Sequence, residues 1–538
     1  MRRLLFFLIA CMLLVSGCQK QHEENLKLRS QPELHFHVAA LTGPLTLNPV
    51  LVRDSASAEV AALLHTTLLV TDPQTLTPLP RLITSWEYDR EKLTYLFTLH
   101  PEAVWSDGTP ITAEDVAFTM RVLSHPDYTG LLYLPLRYVL GAEEYKAGHT
   151  SELADGDIAG IRVIDEKTLS VTLKEPYAPF LSLLTFAPLP ASHLSAVKVR
   201  DLEGHEFSLE RPVTSGPYLL AEWNRDEYVH VRANPAYFLG KPALDNLYYR
   251  FIPNAETQLI ELLAGKLDLV PTAVKVEDVA ALRANPELKV YTNPRLVYDY
   301  IAINSKKADS PVGDKRVRSA LAMLLDRKEV VDNILLGFAD PLYGPLLPLH
   351  FAYDPALEKD NVDLAEARRL LVEAGCPQAE LRLIFNAGNL VRENVALLFK
   401  EQAAKVGLDI RVSLLEWEAF LAAINEGDFD LAILGRGVEA DPDLSYHWHS
   451  DGPGNTYGYS NEQVDALLEE AAALESAEER TRLYREAQRL IVEDVPAIFL
   501  YVRQAVHAAT AELSGFIPHP ENLFYNVHEW GLAGEGDK

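Results

Sequence analysis

LRLIFNAGNLVRENVALLFKEQAAKVGLDIRVSLLEWEAFLAAINEGDFDLAIL, residues 381–434, changes periodicity several times. Leu381-Arg382-Leu383-Ile384-Phe385 is a short apolar run that predicts a strand, and Val391 to Val406 carries helical spacing. Gly407 closes that helix, because glycine enters the left-handed region at no steric cost. Leu408 to Leu414 places apolar residues at every second position, a strand again. Glu416 to Glu426 sets Trp417, Phe420, Leu421 and Ile424 on one helical face, Gly427 stops it, and Phe429 to Leu434 is a buried strand. The order is β-α-β-α-β. Right-handed crossovers then give a parallel sheet covered on both faces.

Working outward, Asp314 caps a run bearing Val317, Leu321, Leu324 and Leu325, and Gly375 ends another helix. Ser476 with Glu479 reads as a capping box opening the helix of Leu483, Ala487 and Leu490. The first half is also mixed α/β. Helix Glu256 to Ala264 stops at Gly265 before strand Leu267 to Val270, while Tyr95 to Leu99 and Val163 to Leu173 are hairpin-like. Val104 to Val122, VWSDGTPITAEDVAFTMRV, is a strand-turn-helix junction: Asp107-Gly108 makes the turn, Thr112 caps the helix, and Asp115 sits near the capping-box position. Ile111 and Val116 stand where a hydrophobic staple closes. Extended apolar runs near Tyr291 to Asn304 and Val495 to Tyr501 are the expected crossings between lobes. There is no solenoid-type repeat.

The N-terminus says where the protein works. Arg2 and Arg3 precede the apolar run Leu4 to Val15, too short to span a bilayer comfortably, and Ser16-Gly17-Cys18 follow. Val15-Ser16-Gly17-Cys18 resembles the lipobox, in which cleavage before the cysteine is coupled to diacylation of its thiol. Two acyl chains suffice for stable anchoring. The polar stretch Gln19 to Glu33 is suited to a tether. Of three cysteines, Cys11 lies in the leader and Cys18 at its end, so Cys376 is the only thiol left and no intramolecular disulfide forms. The chain has 538 residues and a formal charge of −28, which argues against nucleic-acid binding. The acidity favours cationic or zwitterionic ligands.

Five segments now carry a family resemblance: Val104 to Val122, Pro212 to Tyr218, Asn234 to Phe238, Asp314 to Leu321, and Gly458 to Asn461 with Val464-Asp465. In this order they resemble landmarks of the family 5 extracellular solute-binding proteins, the peptide- and nickel-binding receptors of ABC importers. The resemblance implies an α/β chain with the two-lobed type II periplasmic-binding-protein fold and an extra subdomain inserted in the first lobe. The expected organisation is a signal peptide at 1–17 and a tether at 18–33. Lobe I takes 34–67, 191–290 and 495–530, with the inserted subdomain at 68–190. Lobe II is 291–494, and 531–538 is a flexible tail. Implied too are a lipid-anchored, extracytoplasmic monomer, a small solute, permease subunits as partners, no cofactor and no catalysis. A ligand touching both lobes stabilises the closed form by its differential affinity.

The ligand question centres on Asp430 to Asp443, DLAILGRGVEADPD. In the family's peptide receptors a Gly-Trp pair after this strand is followed by an Asp that accepts the ligand's α-ammonium. Counted forward from Gly435, Arg436 takes the Trp place and Glu439 the Asp place; counted back from Asp441-Pro442-Asp443, Val438 does. The forward register needs no gap and makes Glu439 the amine contact, through charge-assisted hydrogen bonds. The alternative for Glu439 is a solvated rim carboxylate. Arg436 either grips a ligand carboxylate bidentately or pairs with Glu439. Tyr501 lies where the family offers a tyrosine to the cleft, so the expected ligand-binding set is Glu439, Arg436, Val438, Asp441 and Tyr501, with Cys18 lipidated.

Other motifs carry less. Gly435 to Ala440 formally fits G-x-G-x-x-A, but Asp441-Pro442 follows at once and no acid stands about twenty residues on. Ser195 to Lys198 fits S-x-x-K without its companion S-D-N and K-T-G motifs. His447 and His449 share a face if the segment is extended, yet the stretch resembles one that is not usually a metal site. The alternatives to a peptide receptor are the same fold binding a metal-metallophore or saccharide, and a secreted hydrolase or sensory lipoprotein.

Overall fold

The computed structural model describes residues 33–148, 158–272, 274–359 and 362–533. The leader, Cys18, the tether up to residue 32, part of the loop between Gly141 and Gly160 and the last residues of the tail lie outside the described residues.

Ala113–Leu123 is the helix that Thr112 opens. Thr112 Oγ1 accepts from the Asp115 amide and the Asp115 carboxylate accepts from the Thr112 amide at 2.7 Å, so the capping box is complete. Asp115 does more than cap, for it also accepts from Trp105 Nε1 at 3.3 Å and from the Ala191 amide at 2.8 Å. Ile111 and Val116 are fully buried beside it, as a hydrophobic staple requires. A separate apolar core with members from Val50 to Phe207 forms around this helix and the antiparallel sheet Ile83–Asp89, Thr94–Leu99, Thr168–Thr172 and Ile161–Val163. Each fully buried Leu, Ile or Phe there contributes about 1.5–3 kcal/mol.

The β-α-β-α-β run folds as read, with shifted ends: strand Glu380–Asn386, helix Leu390–Val406, strand Asp409–Leu415, helix Trp417–Glu426 and strand Leu431–Gly437. Gly407 and Gly427 both sit in the left-handed region, at φ 98° and 71°. The last strand runs past Leu434, because Gly435, Arg436 and Gly437 pair with Asp299, Tyr298 and Val297. Ser476 caps helix Ala477–Asp494 by accepting from the Glu479 amide at 3.3 Å; no returning bond from the Glu479 side chain is among those described, so only half the box is made.

These three strands are parallel, and they do not form a sheet of their own. They join an eleven-stranded sheet in the order Asp409–Leu415, Glu380–Asn386, Leu431–Gly437, Leu288–Ile303, Ala497–Thr510, Leu269–Val270, His35–Ala40, Asn246–Phe251, Tyr228–Ala233, Tyr218–Asn224, with Ala339–Pro341 paired off the path. Leu288–Ile303 and Ala497–Thr510 are long enough to belong to both halves. One half packs around Phe36, Leu247, Tyr249 and Trp530; the other packs around Ile301, Leu383, Phe399 and Ile433 on one face and Tyr300, Trp448, Tyr457 and Phe499 on the other.

Candidate functional site

The passage between the two halves is irregular. Pro294 pairs with Gln504 and Tyr298 with Val502, leaving Arg295, Leu296 and Val297 opposite Arg503 alone. A second shift falls between Asp299 and Tyr300. Bulges of this kind bend a strand and re-aim its side chains. One buried carboxylate between two arginines holds the bend. Asp299 accepts from Arg392 Nε at 3.0 Å and faces Arg503 Nε at 3.2 Å, while Arg392 Nη1 donates to Asn386 Oδ1 at 2.7 Å. Arg392 lies across Gly435, where an added Cβ would come within 2.6 Å of its Nη2. Tyr501 sits in this cluster with its ring fully buried, and its hydroxyl is raised in pKa by burial and then by Asp299.

Arg436 points to the opposite face of the sheet. It is 6 % exposed, and its guanidinium carbon stands 4.8 Å from the Tyr300 ring centre, 5.1 Å from Trp448 and 5.5 Å from Tyr457. Its Nη2 donates to Tyr300 Oη at 2.9 Å and to Tyr457 Oη, and Nη1 has no hydrogen-bond partner among the described residues. Cation–π contact and phenol oxygens thus take the part of a counter-ion. The expected pairing of Arg436 with Glu439 is not made, because Arg436 turns into the core while Glu439 lies beyond the strand's last residue.

Val438 carries the chain past the strand, donating to the Leu296 carbonyl at 2.9 Å. The next carbonyl, that of Glu439, is held by His350 Nε2 at 2.9 Å. His350 Nδ1 accepts from the Leu347 amide, which fixes Nε2 as the donor, and burial pushes its pKa down to about 4. The Glu439 carboxylate itself makes no hydrogen bond or ion pair among the described residues. It is exposed, yet surrounding protein desolvates it and, with Asp443, raises its pKa. Glu521, from the other half of the molecule, is exposed too but not free of partners: burial raises its pKa, a Thr71 hydrogen bond lowers it and the charge of Glu439 raises it again.

Asp441 is committed elsewhere. Arg480 donates to both its oxygens, at 2.9 and 2.5 Å, and both side chains are buried. Asp443 Oδ1 accepts from the Ser445 amide and Oδ2 from Tyr177 Oη, at 2.9 and 3.0 Å. Residues 445–448 form a helical turn, so the extended conformation in which His447 and His449 would share a face is not the one adopted. His447 faces Arg436 and is pushed down to about 3 by burial and then by that charge, whereas His449 bonds Glu469 at 3.2 Å. Among the described residues no group of three or more His, Cys, Asp or Glu is placed to hold a metal. Sequence reasoning singled out Glu439 and Val438 and did not mark Glu521, Asp299, Arg392 or Arg503, which the structure places in the charged groups described above. Arg392 had a signal, since it stands in the first helical turn after a strand, where α/β sheets present ligand-facing groups.

A family model described as bacterial extracellular solute-binding proteins, family 5 middle, matches residues 77–458. The chain belongs to this family. Family 5 relatives run its whole length: the oligopeptide-binding protein AppA of Bacillus subtilis is 28% identical across 98% of this chain and 97% of its own. Heme-binding protein A of Haemophilus influenzae is 27% identical across 97% of this chain and 98% of its own. Among solved structures, AppA from Bacillus subtilis in complex with a nonapeptide superposes with a TM-score of 0.73 at 28% identity, over 94% of this chain and all 100% of that one. The ABC transporter substrate-binding protein CtaP from Listeria monocytogenes gives a TM-score of 0.82 at 23% identity, over 94% and 100%. The fold is therefore the two-lobed type II arrangement of periplasmic binding proteins. Members of family 5 bind solutes and are not enzymes, and among the described residues no helix is long and apolar enough to cross a membrane.

Proposed function

We propose that this chain is the lipid-anchored receptor of an ABC importer and binds peptides in the cleft between its lobes by hinge closure. The carrying observation is Glu439: its backbone is pinned by His350, its carboxylate has no partner among the described residues, and its charge is felt by a second carboxylate, Glu521, from the other lobe. A peptide's α-ammonium satisfies both charges only when the lobes are together, so binding drives closure. The bulged strands at Arg295 to Val297 supply the hinge. Val438 lines the ligand's path, while Arg436, Asp441 and Tyr501 shape the wall from behind it. Full-length likeness to an oligopeptide-binding protein supports the peptide as ligand. The lipobox resemblance at Cys18 supports the anchor, and permease subunits are the partners that read the closed form.

Native mass spectrometry of protein purified without denaturation tests this reading. Retained peptides are the expected cargo; a non-peptide solute, as the name of the heme-binding relative suggests, discards the peptide part.

A further inference from the structure

We infer that the inserted subdomain is a latch, closing on the second lobe through Leu76 and Tyr177. The inference rests on hinge closure but not on the ligand's being a peptide.

Leu76 tips the hairpin of strands Leu69–Thr71 and Pro78–Pro80. Its φ is 58°, a conformation that a branched side chain adopts only when its surroundings hold it there. The hairpin tip holds it from one side: Asp72 Oδ1 accepts from the Gln74 and Thr75 amides at 2.8 Å, and the Leu76 amide donates to the Asp72 carbonyl at 3.0 Å. The second lobe holds it from the other. Leu76 is 4 % exposed and joins an apolar cluster of second-lobe residues, among them Leu296, Tyr298, Ala440 and Leu444. Leu296 is the central residue of the hinge bulge, and Ala440 follows Glu439 directly. One side chain of the subdomain is thus buried in the same apolar cluster as the hinge bulge and the segment that follows Glu439.

Tyr177 makes the second contact. Its ring stacks on Tyr138 with centres 3.5 Å apart and planes within 8°, which aims its hydroxyl at Asp443. Arg90 also reaches Glu475 at 2.8 Å, an exposed ion pair that adds little. Opening the lobes must draw Leu76 from its apolar pocket into water and break the phenol–carboxylate bond. The closed form therefore has a stabilisation of its own, and ligand adds to it.

Small-angle scattering of the full chain, without added ligand, tests the latch on wild type, Leu76→Ala and Tyr177→Phe, with thermal melting alongside. The expected result is an open form in both variants and a closed-to-open ratio at least about tenfold lower for Leu76→Ala, with cooperative melting retained. Should Leu76→Ala fail to fold, Tyr177→Phe alone decides. Variant profiles identical to wild type overturn the latch. Ligand-driven closure is read separately, from wild-type scattering with and without an added peptide pool.

Discussion

Arg480 donates through both terminal nitrogens to the two oxygens of Asp441, and both side chains are withdrawn from solvent. The pair ties helix Ala477–Asp494 to the segment carrying Glu439. Removing one partner leaves the other charge buried and unpaired, which is far costlier than losing the contact. Asp441→Ala is expected to cost about 3–5 kcal/mol of unfolding free energy. Chemical denaturation measures it; a loss under about 1 kcal/mol contradicts the buried-pair account.

Asp299 neutralises two arginines at the bulged passage between the two halves of the sheet. Asp299→Asn removes the charge and keeps the shape, leaving Arg392 and Arg503 to repel each other. We expect a loss of about 3 kcal/mol or more. A double-mutant cycle with Arg392→Met should recover part of it, and additive losses would show that the two groups do not interact.

Gly216 is a steric requirement. A Cβ there would meet the Leu64 carbonyl carbon at 2.5 Å and the His65 nitrogen at 2.6 Å, both backbone atoms. Gly216→Ala is expected to destabilise by about 1–3 kcal/mol or more, whereas Gly313→Ala, with open space around its Cβ, stays within about 1 kcal/mol of wild type.

Stability should fall on acidification. Burial lowers His65, His350 and His507 to about 4 and His447 to about 3 in the folded state. The unfolded chain binds protons at these sites near pH 6.5, so their neutral burial is fully tolerated above that pH. The stability is then lost progressively as pH falls from about 6.5 towards 4. Glu59, raised to about 7 by burial, opposes the trend and stabilises on the acid side, as do Asp268, Glu439, Asp441 and Glu521, whose carboxyls burial also raises. Melting temperatures from pH 7.5 to 4.5 check the sign. His350→Gln should flatten the slope, and an unchanged slope would show that His350 is not buried neutral.

Much of the scaffold was legible locally. The switch between periods two and 3.6 gave the β-α-β-α-β run, and Thr112 with Asp115 announced a helix start that the structure completes. The site was less legible, because its partners are distant in sequence. Arg436 lies in a strand whose reading stopped at Leu434, where the apolar run ends; pairing of Gly435 to Gly437 with Val297 to Asp299 carries the strand further. Tyr300 stands 136 residues before the arginine it cages, and Tyr177 lies 266 residues before Asp443. Glu521 has no periodic pattern to mark it, and the carboxylate whose charge reaches it, Glu439, is far from it in sequence.

The central claim is that Glu439 accepts a ligand ammonium in the cleft. Calorimetric titration of wild type and Glu439→Gln with a pool of free-amine peptides and its N-acetylated counterpart tests it directly. Wild type should bind the free-amine pool saturably, and either acetylation or Glu439→Gln should weaken binding by about 1.5–3 kcal/mol. The weakening should also set in for wild type as pH falls through the raised Glu439 pKa. Equal affinity for both pools, unchanged in Glu439→Gln, would contradict the account.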